Sequence, residues 1–146
     1  MESYKRGSHT VWDCKYHLVW ITKYRYPVLV GQEPGGVGHR ARELLREIAR
    51  SLEMTIYAGA INRDHVHMLI SIPPKYSVAQ AVGYLKGKSA INIARQFMDR
   101  KRNFVGQHFW ARGYFVSTVG RDEAVIREYI RHQEAEDRRL DQLRLL

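Results

Sequence analysis

The segment Thr55–Ile72 reads TIYAGAINRDHVHMLISI and predicts two short strands joined by a tight turn. Thr55–Ile61 and His65–Ile72 are rich in apolar and β-branched residues, and Asn62-Arg63-Asp64 between them has the composition of a turn. Pro73-Pro74 ends the second strand, because proline cannot donate a hydrogen bond to a sheet. We therefore expect a β-hairpin near the middle of the chain.

A helix is predicted on each side of this hairpin. Before it, apolar residues recur at helical spacing over Ala41–Leu52, and charged residues fill the opposite face. After it, Ser77 and Gln80 form a capping-box pattern, and an apolar stripe follows. Gly83 and Gly87 lie inside this second helix, where each costs up to about 1 kcal/mol relative to alanine. They suggest close packing or the approach of a ligand.

The outer segments complete the pattern of elements. Val11–Tyr24 predicts one long strand, Phe109–Val119 a fourth strand, and the residues from Asp122 onward a third helix. The order β, α, β, β, α, β, α favours an α+β fold, a ferredoxin-like split βαβ sandwich. It has an antiparallel sheet, helices on one face, and a C-terminal helix that carries Tyr129. We expect a single domain over residues 1–146, with an N-terminal arm at 1–10 and a charged tail at 136–146.

The chain is strongly basic, which points to a polyanionic partner. Its 146 residues include 24 Lys and Arg against 15 Asp and Glu, a formal net charge of +9. Residues 61–120 contribute most of this excess, and nucleic acid is the leading candidate. The residues that could contact phosphates, and could equally be solvated surface charges, are Lys86, Lys88, Arg95, Arg100, Lys101 and Arg102.

The same composition argues against other classes of protein. No stretch approaches the roughly 20 apolar residues of a membrane span, and residues 1–10 lack the apolar core of a secretory signal. The single cysteine, Cys14, excludes an internal disulfide framework and fits a reducing compartment. We expect a cytoplasmic protein with no membrane partner.

Two histidines stand one pleat apart on the second strand of the hairpin. Alternation places Val66, Met68 and Ile70 in the core and leaves His65 and His67 on the other face. Their Cα atoms would lie about 7 Å apart, close enough for both rings to reach one cation. A bare His-x-His pair is more often a solvated or hydrogen-bonded pair, and an ion site needs further ligands.

The last predicted helix offers such a ligand. Tyr129 and Gln133 are four residues apart and so share one helical face. The neutral amide oxygen of Gln133 is a hard ligand that suits Mg²⁺ or Mn²⁺. Tyr129 can equally pack with Ile126 and Ile130 in the buried stripe of the helix. Beside an ion, however, its phenol could attack a phosphodiester, although a reference pKa of about 10 makes it a weak nucleophile on its own.

Five segments, taken in order, extend the pattern beyond these side chains. They are Tyr16–Trp20 with Lys23–Arg25, Asp64–Leu69 with Pro73-Pro74, Leu85–Ala90, Trp110 with Gly113–Val116 and Val119-Gly120, and Tyr129–Gln133. In this order they resemble the HUH-type single-tyrosine transposases of the simplest prokaryotic insertion sequences, in which two histidines flank a bulky hydrophobic residue. The resemblance covers about Cys14 to Gln133.

This resemblance implies an enzyme that cleaves and rejoins single-stranded DNA. It implies that His65 and His67 bind a divalent ion, Mg²⁺ or Mn²⁺, with Gln133 as the third protein ligand. It makes Tyr129 the nucleophile, which forms a 5′-phosphotyrosine intermediate. Similar proteins are homodimers in which the tyrosine helix of one subunit completes the metal site of the other. They bind hairpins near the ends of a single-stranded element, and no small-molecule substrate is implied.

Three other interpretations stay open on the sequence. A domesticated, repeat-associated relative would use the same chemistry and differ in genomic context. An HUH enzyme of replication initiation or mobilisation is disfavoured by the small size of the chain. An RNA-binding module without catalysis would use the same sheet, and Arg112–Ser117 partly matches the aromatic strand motif of such domains. That interpretation leaves His65, His67 and Tyr129 unexplained.

Overall fold

The computed structural model describes residues 4–97, 109–120, 124, 127–128 and 130–132. Its elements in chain order are β1 (Lys5–Arg6), β2 (Val11–Trp12), β3 (Lys15–Ile21), α1 (Val37–Ser51), β4 (Thr55–Ile61), β5 (His65–Ser71), α2 (Val78–Phe97) and β6 (Phe115–Thr118). In the C-terminal segment, residues 124, 127–128 and 130–132 are helical, in agreement with the predicted third helix. None of the described helices is long and apolar enough to cross a membrane.

The main sheet has four antiparallel strands in the order β4-β5-β3-β6. The two central strands pair along their full length, from Lys15 opposite Ser71 to Ile21 opposite His65. α1 connects β3 to β4, and α2 connects β5 to β6, so each helix links two strands that are not neighbours. This is the split βαβ arrangement. The predicted fold class is therefore confirmed.

The two faces of the sheet are packed differently. α1 and α2 cover one face, and alternation along β5 sends Val66, Met68 and Ile70 into the main core. On the other face, Leu69 joins a smaller apolar cluster with Ile130 from the C-terminal helical segment. The face that carries the histidines is thus partly covered by the chain itself.

The predicted strand Val11–Tyr24 is divided in the structure, so its predicted length was wrong. Val11–Trp12 leaves the main sheet and pairs with Lys5–Arg6 in a separate two-stranded sheet. Lys15–Ile21 alone enters the main sheet, and the chain then turns at Lys23–Arg25. Both parts of the segment are strands, as their composition predicts, but composition does not determine the strand with which each part pairs.

The predicted fourth strand, Phe109–Val119, was also too long, because its aromatic start is buried elsewhere. Phe109 and Trp110 insert into the core, where Trp110 Nε1 donates to Ser89 Oγ at 3.0 Å. The backbone turns at Gly113, whose φ is +84° and suits glycine, and only Phe115–Thr118 pairs with β3. Aromatic residues favour strands, but they fill a hydrophobic core equally well, so their presence did not show where the strand begins.

The helix α1 begins earlier than the apolar periodicity indicated, directly after a close approach of two glycines. It begins at Val37 and not near Ala41, with Gly36 as the residue preceding it. A Cβ on Gly31, which has a φ of +81°, would lie 2.8 Å from the Cα of Gly36. The two backbone segments can approach this closely only because both residues are glycine.

The start of α2 confirms the predicted capping box. Ser77 N donates to Gln80 Oε1 at 2.9 Å, and Gln80 N donates to Ser77 Oγ at 3.0 Å. Of the two interpretations of Gly83 and Gly87, close packing was wrong for the described part of the chain, since a Cβ at either position would meet nothing within 4 Å. The approach of a ligand stays a prediction. Both glycines lie on the exposed side of the helix.

Candidate active site

His65 and His67 lie on β5 with their rings in contact. The ring centroids are 4.7 Å apart and the ring planes meet at 76°. His67 is buried and lies opposite Val19 on one side and Ala60 on the other. The face predicted from the alternation of residues is confirmed, but these imidazoles are enclosed to a greater degree than a solvated pair would be.

The turn that precedes β5 holds the ring of His65. Its Nδ1 lies 2.6 Å from Asp64 Oδ1, and its Nε2 lies 3.0 Å from Asn62 Nδ2. An ionised carboxylate only accepts hydrogen bonds and an amide nitrogen only donates, so Nδ1 carries the hydrogen and Nε2 presents its lone pair. A neutral imidazole with one nitrogen bound to a carboxylate is the form in which histidine usually ligates a metal.

A third histidine, which sequence reasoning did not assign to the site, lies beside this pair. His17 of β3 stacks on His67 with ring centroids 5.8 Å apart and planes at 14°, and Phe115 meets it edge-on at 5.9 Å. Burial lowers the pKa of His17, because enclosure disfavours the charged imidazolium. Alternation along β3, with Leu18 and Trp20 in the core, could have placed His17 on this face. Its proximity to His67 depends on strand order and register.

The C-terminal helical segment packs on the same face of the sheet. Ile130 is buried against Ala60 and Leu69, and Ala60 is the cross-strand partner of His67. On the same segment, Arg127 Cζ lies 5.9 Å from the centroid of the Tyr57 ring. The segment therefore lies over the strand next to the histidine pair. Tyr129 and Gln133 themselves lie outside the described residues.

The basic residues predicted to contact phosphates have different surroundings. The ammonium of Lys86 donates to the backbone carbonyl oxygens of Ala111 at 2.7 Å and Gly113 at 2.9 Å, and burial lowers its pKa. Lys88 is exposed, with Nζ 5.7 Å from the centroid of the Tyr84 ring. Arg95 is exposed as well, and the cluster at 100–102 lies outside the described residues. Their role in binding DNA stays a prediction.

A row of arginines on α1 was not among the predicted site residues. Arg42, Arg46 and Arg50 recur every fourth residue and line a groove of about 510 Å³ beside the edge strand β4. Both glutamates of α1 instead face Arg40, at 3.6 Å each. Within the described part of the chain, no carboxylate pairs with the row. The spacing of four residues was the signal that could have revealed it. We refer to these three residues as the arginine row.

Comparison with known proteins identifies the family of this chain. The family model described as "Transposase IS200 like" matches residues 10–133. The IS200 transposase of Salmonella typhimurium is 42% identical over 139 residues, which cover 95% of this chain and 89% of that protein. The ISDra2 transposase TnpA of Deinococcus radiodurans is 33% identical over 130 residues, covering 88% and 90%. This chain belongs to the IS200-like transposase family.

Solved structures show the same architecture as this transposase. A crystal structure of a candidate transposase from Deinococcus radiodurans R1 superimposes with a TM-score of 0.65 at 33% identity, covering 88% of this chain and 97% of that one. A REP-associated tyrosine transposase bound to a REP hairpin superimposes with a TM-score of 0.59 at 14% identity, covering 93% and 74%. The second likeness concerns the fold alone.

The donors around His65 and His67 fit a divalent ion only in part. Two adjacent imidazoles, one of them oriented by a carboxylate, are suitable nitrogen ligands. Among the residues whose positions are described, however, no group of three or more His, Cys, Asp or Glu side chains is arranged to share an ion. An ion in the transposase would need a further ligand from elsewhere, and Gln133 was predicted for that role.

Proposed function

We propose that the transposase cleaves and rejoins single-stranded DNA at the ends of an insertion sequence, with Tyr129 as nucleophile and a divalent ion at His65, His67 and Gln133. The observation that carries the proposal is that Ile130 belongs to one buried apolar cluster with Leu69 and Ala60, and Ala60 is the cross-strand partner of His67. This cluster brings the helical segment on both sides of Tyr129 to the face of the sheet that carries the histidines.

The chemistry proposed for Tyr129 is a transesterification. Its phenolic oxygen forms a bond to phosphorus and loses its proton, while the bond from phosphorus to the 3′-oxygen breaks. That oxygen takes up a proton and leaves as the 3′-hydroxyl of the upstream fragment, and the downstream fragment stays attached to Tyr129 through its 5′-phosphate. Attack by another 3′-hydroxyl reverses the step on a different end. The phosphodiester is conserved throughout, so no nucleotide cofactor is needed.

The role of His65 and His67 is to hold Mg²⁺ or Mn²⁺ together with the Gln133 amide. When bound, the ion would offset the negative charge that develops on the non-bridging phosphate oxygens. The enclosure of His67 between β3 and β4 limits the movement of its ring. A fixed pair of imidazoles favours one geometry of attack, which is where much of the rate enhancement of such enzymes arises.

Single-stranded DNA with hairpins near the element ends is the proposed partner. The REP-associated neighbour of similar fold is bound to a hairpin. The transposase also has an arginine row whose charge is not neutralised by neighbouring described carboxylates. Guanidinium groups in such a row would contact the phosphate backbone and contribute affinity more than sequence specificity.

A homodimer is proposed because two ends must be cut and each chain supplies one proposed nucleophile. β6 is an edge strand that, among the described residues, pairs only with β3. Phe115 and Val116 on it are 55% and 39% exposed. An exposed apolar edge is a template for pairing with another strand, and a second copy of β6 would cover it. In the single chain, Ile130 packs over that chain's own histidine face, so completion of the other subunit's metal site, as the family resemblance implies, requires the tyrosine helix to exchange between subunits.

Membership of the transposase family removes the RNA-recognition interpretation and leaves the choice between a mobile element and a domesticated relative. The chain is 42% identical to the transposase of an insertion sequence, against 14% for the REP-associated protein. This difference supports the insertion-sequence role.

The decisive experiment is to trap the covalent intermediate. The protein is incubated with single-stranded DNA that contains hairpins from the flanks of its own gene, with Mn²⁺, and scored on a denaturing gel. We expect a protein–DNA adduct that is abolished by Tyr129→Phe, by His67→Ala and by EDTA, with DNA binding nearly intact in the tyrosine variant. The matched control, Tyr84→Phe on the opposite side of the molecule, should retain the adduct. An adduct of normal yield in Tyr129→Phe would contradict the proposal.

A further inference from the structure

Two consecutive residues near the histidine pair adopt a backbone conformation that L-amino acids avoid. Tyr24 and Arg25 have φ values of +56° and +55°, in the left-handed region. Such residues persist where the surrounding structure holds them, and they concentrate at functional sites. Here Thr22 holds the turn, since its Oγ1 donates to the carbonyl oxygen of Tyr26 at 2.7 Å and its backbone N donates to that of Asp64 at 2.9 Å.

The consequence of this turn is the position of the Arg25 side chain. Its Nη2 lies 3.2 Å from Asp64 Oδ2, while Asp64 Oδ1 lies 2.6 Å from Nδ1 of His65. The two oxygens of one carboxylate are thus divided between a guanidinium and an imidazole. The arginine side chain is 61% exposed, whereas those of Asp64 and His65 are 19% and 11% exposed. The three side chains therefore form a connected series from the exposed guanidinium of Arg25, through Asp64, to the largely buried imidazole of His65.

We infer that Arg25 and Asp64 are positioning residues, which fix the tautomer and orientation of His65 so that its Nε2 lone pair points toward the metal site. This inference rests on the proposed function insofar as it concerns the metal. A carboxylate bound only to His65 could rotate about its terminal bond, and the guanidinium removes that freedom by occupying the second oxygen. Asn62 donates to Nε2 in the structure, so its amide would give way when Nε2 binds an ion.

Stability alone does not account for the turn. An ion pair with a largely exposed arginine contributes little to folding, while the left-handed backbone at Tyr24 and Arg25 opposes it. A glycine at position 25 would adopt the same backbone without strain. An arginine in this position is explained by what its side chain does to Asp64.

The first test is the tautomer of His65, measured by long-range ¹H–¹⁵N NMR on histidine-labelled, metal-free protein. The wild type is expected to hold hydrogen on Nδ1. Arg25→Gly removes the guanidinium and the strain together, so its thermal midpoint should be no lower than that of the wild type, while His65 shifts toward a mixture of tautomers. The matched control, Tyr24→Gly, relieves strain at the neighbouring residue and leaves the guanidinium. It should keep the wild-type tautomer.

A second pair of variants gives a sharper result. In Asp64→Asn, the Arg25 guanidinium is expected to donate to the amide oxygen, which leaves the amide nitrogen facing His65 Nδ1. Because that nitrogen only donates, Nδ1 must accept, and the ring hydrogen moves to Nε2. Adding Arg25→Gly to that variant frees the oxygen to accept from Nδ1 again. The double variant should therefore return toward the wild-type tautomer. A purely structural role of either residue would not produce this reversal.

Metal affinity provides the second readout. Calorimetric titration with Mn²⁺ should give about tenfold weaker binding for Arg25→Gly and Asp64→Asn, in the range typical of residues that orient metal ligands, and unchanged binding for Tyr24→Gly. Retention of both the Nδ1 tautomer and the Mn²⁺ affinity in Arg25→Gly would overturn the inference. If the wild type itself binds no Mn²⁺, the proposed metal site fails, and the tautomer measurements alone decide whether Arg25 and Asp64 orient His65.

Discussion

At the scale of single residues, burial determines the charge of His17. Its ring lies against His67 and Phe115 on the partly covered face of the sheet. Enclosure lowers its pKa below the ordinary value of 6.5, so the folded protein holds it neutral at pH values where the unfolded chain is already protonated. The unfolded state then binds more protons than the folded state.

This difference predicts how stability depends on pH. The contribution of His17 is fully present above about pH 6.5 and is lost as the pH falls toward the lowered pKa of the folded state. Urea unfolding of the metal-free protein from pH 8 to pH 5 should show a decrease in the free energy of unfolding. The decrease should be smaller in His17→Gln and unchanged in His9→Gln, which alters an exposed histidine. Parallel curves for His17→Gln and the wild type would contradict the prediction.

At the scale of elements, the start of α2 depends on a pair of reciprocal hydrogen bonds. Ser77 and Gln80 each satisfy a backbone N–H of the other at a position where the helix supplies no acceptor. The two contacts are local in sequence, which is why the capping box was predictable from spacing alone. The ends of β3 and β6 depend on pairing partners that are distant in sequence, so they could not be predicted from local spacing.

Removal of the cap should therefore destabilise the protein by a measurable amount. Ser77→Ala is expected to lower the free energy of unfolding by about 1 kcal/mol in urea titrations, the usual effect of losing an N-cap hydroxyl. Ser51→Ala is the control, because that hydroxyl donates to the carbonyl of Ile48 within the last turn of α1 and caps no N–H group. Its effect should stay within about 0.5 kcal/mol. Equal effects of the two variants would contradict the assignment of the cap.

At the scale of the whole molecule, the positive charges of the arginine row lie together beside β4, an edge strand of the sheet. The arginine row lines the groove next to β4, and the glutamates of the same helix are turned toward Arg40. Replacing Arg42, Arg46 and Arg50 together by Gln should weaken binding of single-stranded DNA. The slope of log affinity against log salt should fall by about two, at roughly 0.7 per phosphate contact.

Lys75 provides the control for the arginine row. Lys75 forms an ion pair with Glu53 at 3.2 Å, so Lys75→Gln removes a cation that is already compensated and should leave the salt slope unchanged. Titrations by fluorescence anisotropy at several salt concentrations measure both variants. An unchanged slope in the triple variant would mean that the row makes no phosphate contacts.

The proposed dimer predicts complementation between two inactive chains. A His67→Ala chain keeps the proposed nucleophile but loses a proposed metal ligand, and a Tyr129→Phe chain keeps the proposed metal ligands but loses the proposed nucleophile. If the tyrosine helix acts on the other subunit, a mixed dimer regains one complete site, and the covalent adduct should reappear on mixing. If each helix acts on its own subunit, both sites of the mixed dimer stay defective. No adduct on mixing would therefore contradict the arrangement in trans.

Local patterns were sufficient for much of the fold. The hairpin of Thr55–Ile61 and His65–Ser71, both helices and the face of the histidines follow from periodicity, because side chains alternate in strands and recur every 3.6 residues in helices. The lengths of the first and last strands of the main sheet did not follow. Val11–Trp12 pairs with β1, and Trp110 fills the core against Ser89, choices that depend on residues far away in the chain.

The amino-acid order was enough to establish a ferredoxin-like transposase with His65 and His67 on one face, since these depend on short-range periodicity and on ordered motifs. Three-dimensional packing alone decided that His17 stacks on His67, that Ile130 lies over the strand next to them, and that Arg25 reaches Asp64. Each of these contacts joins residues that are distant in sequence. Strand register and a strained turn bring them together, and neither is encoded in the spacing of any one segment.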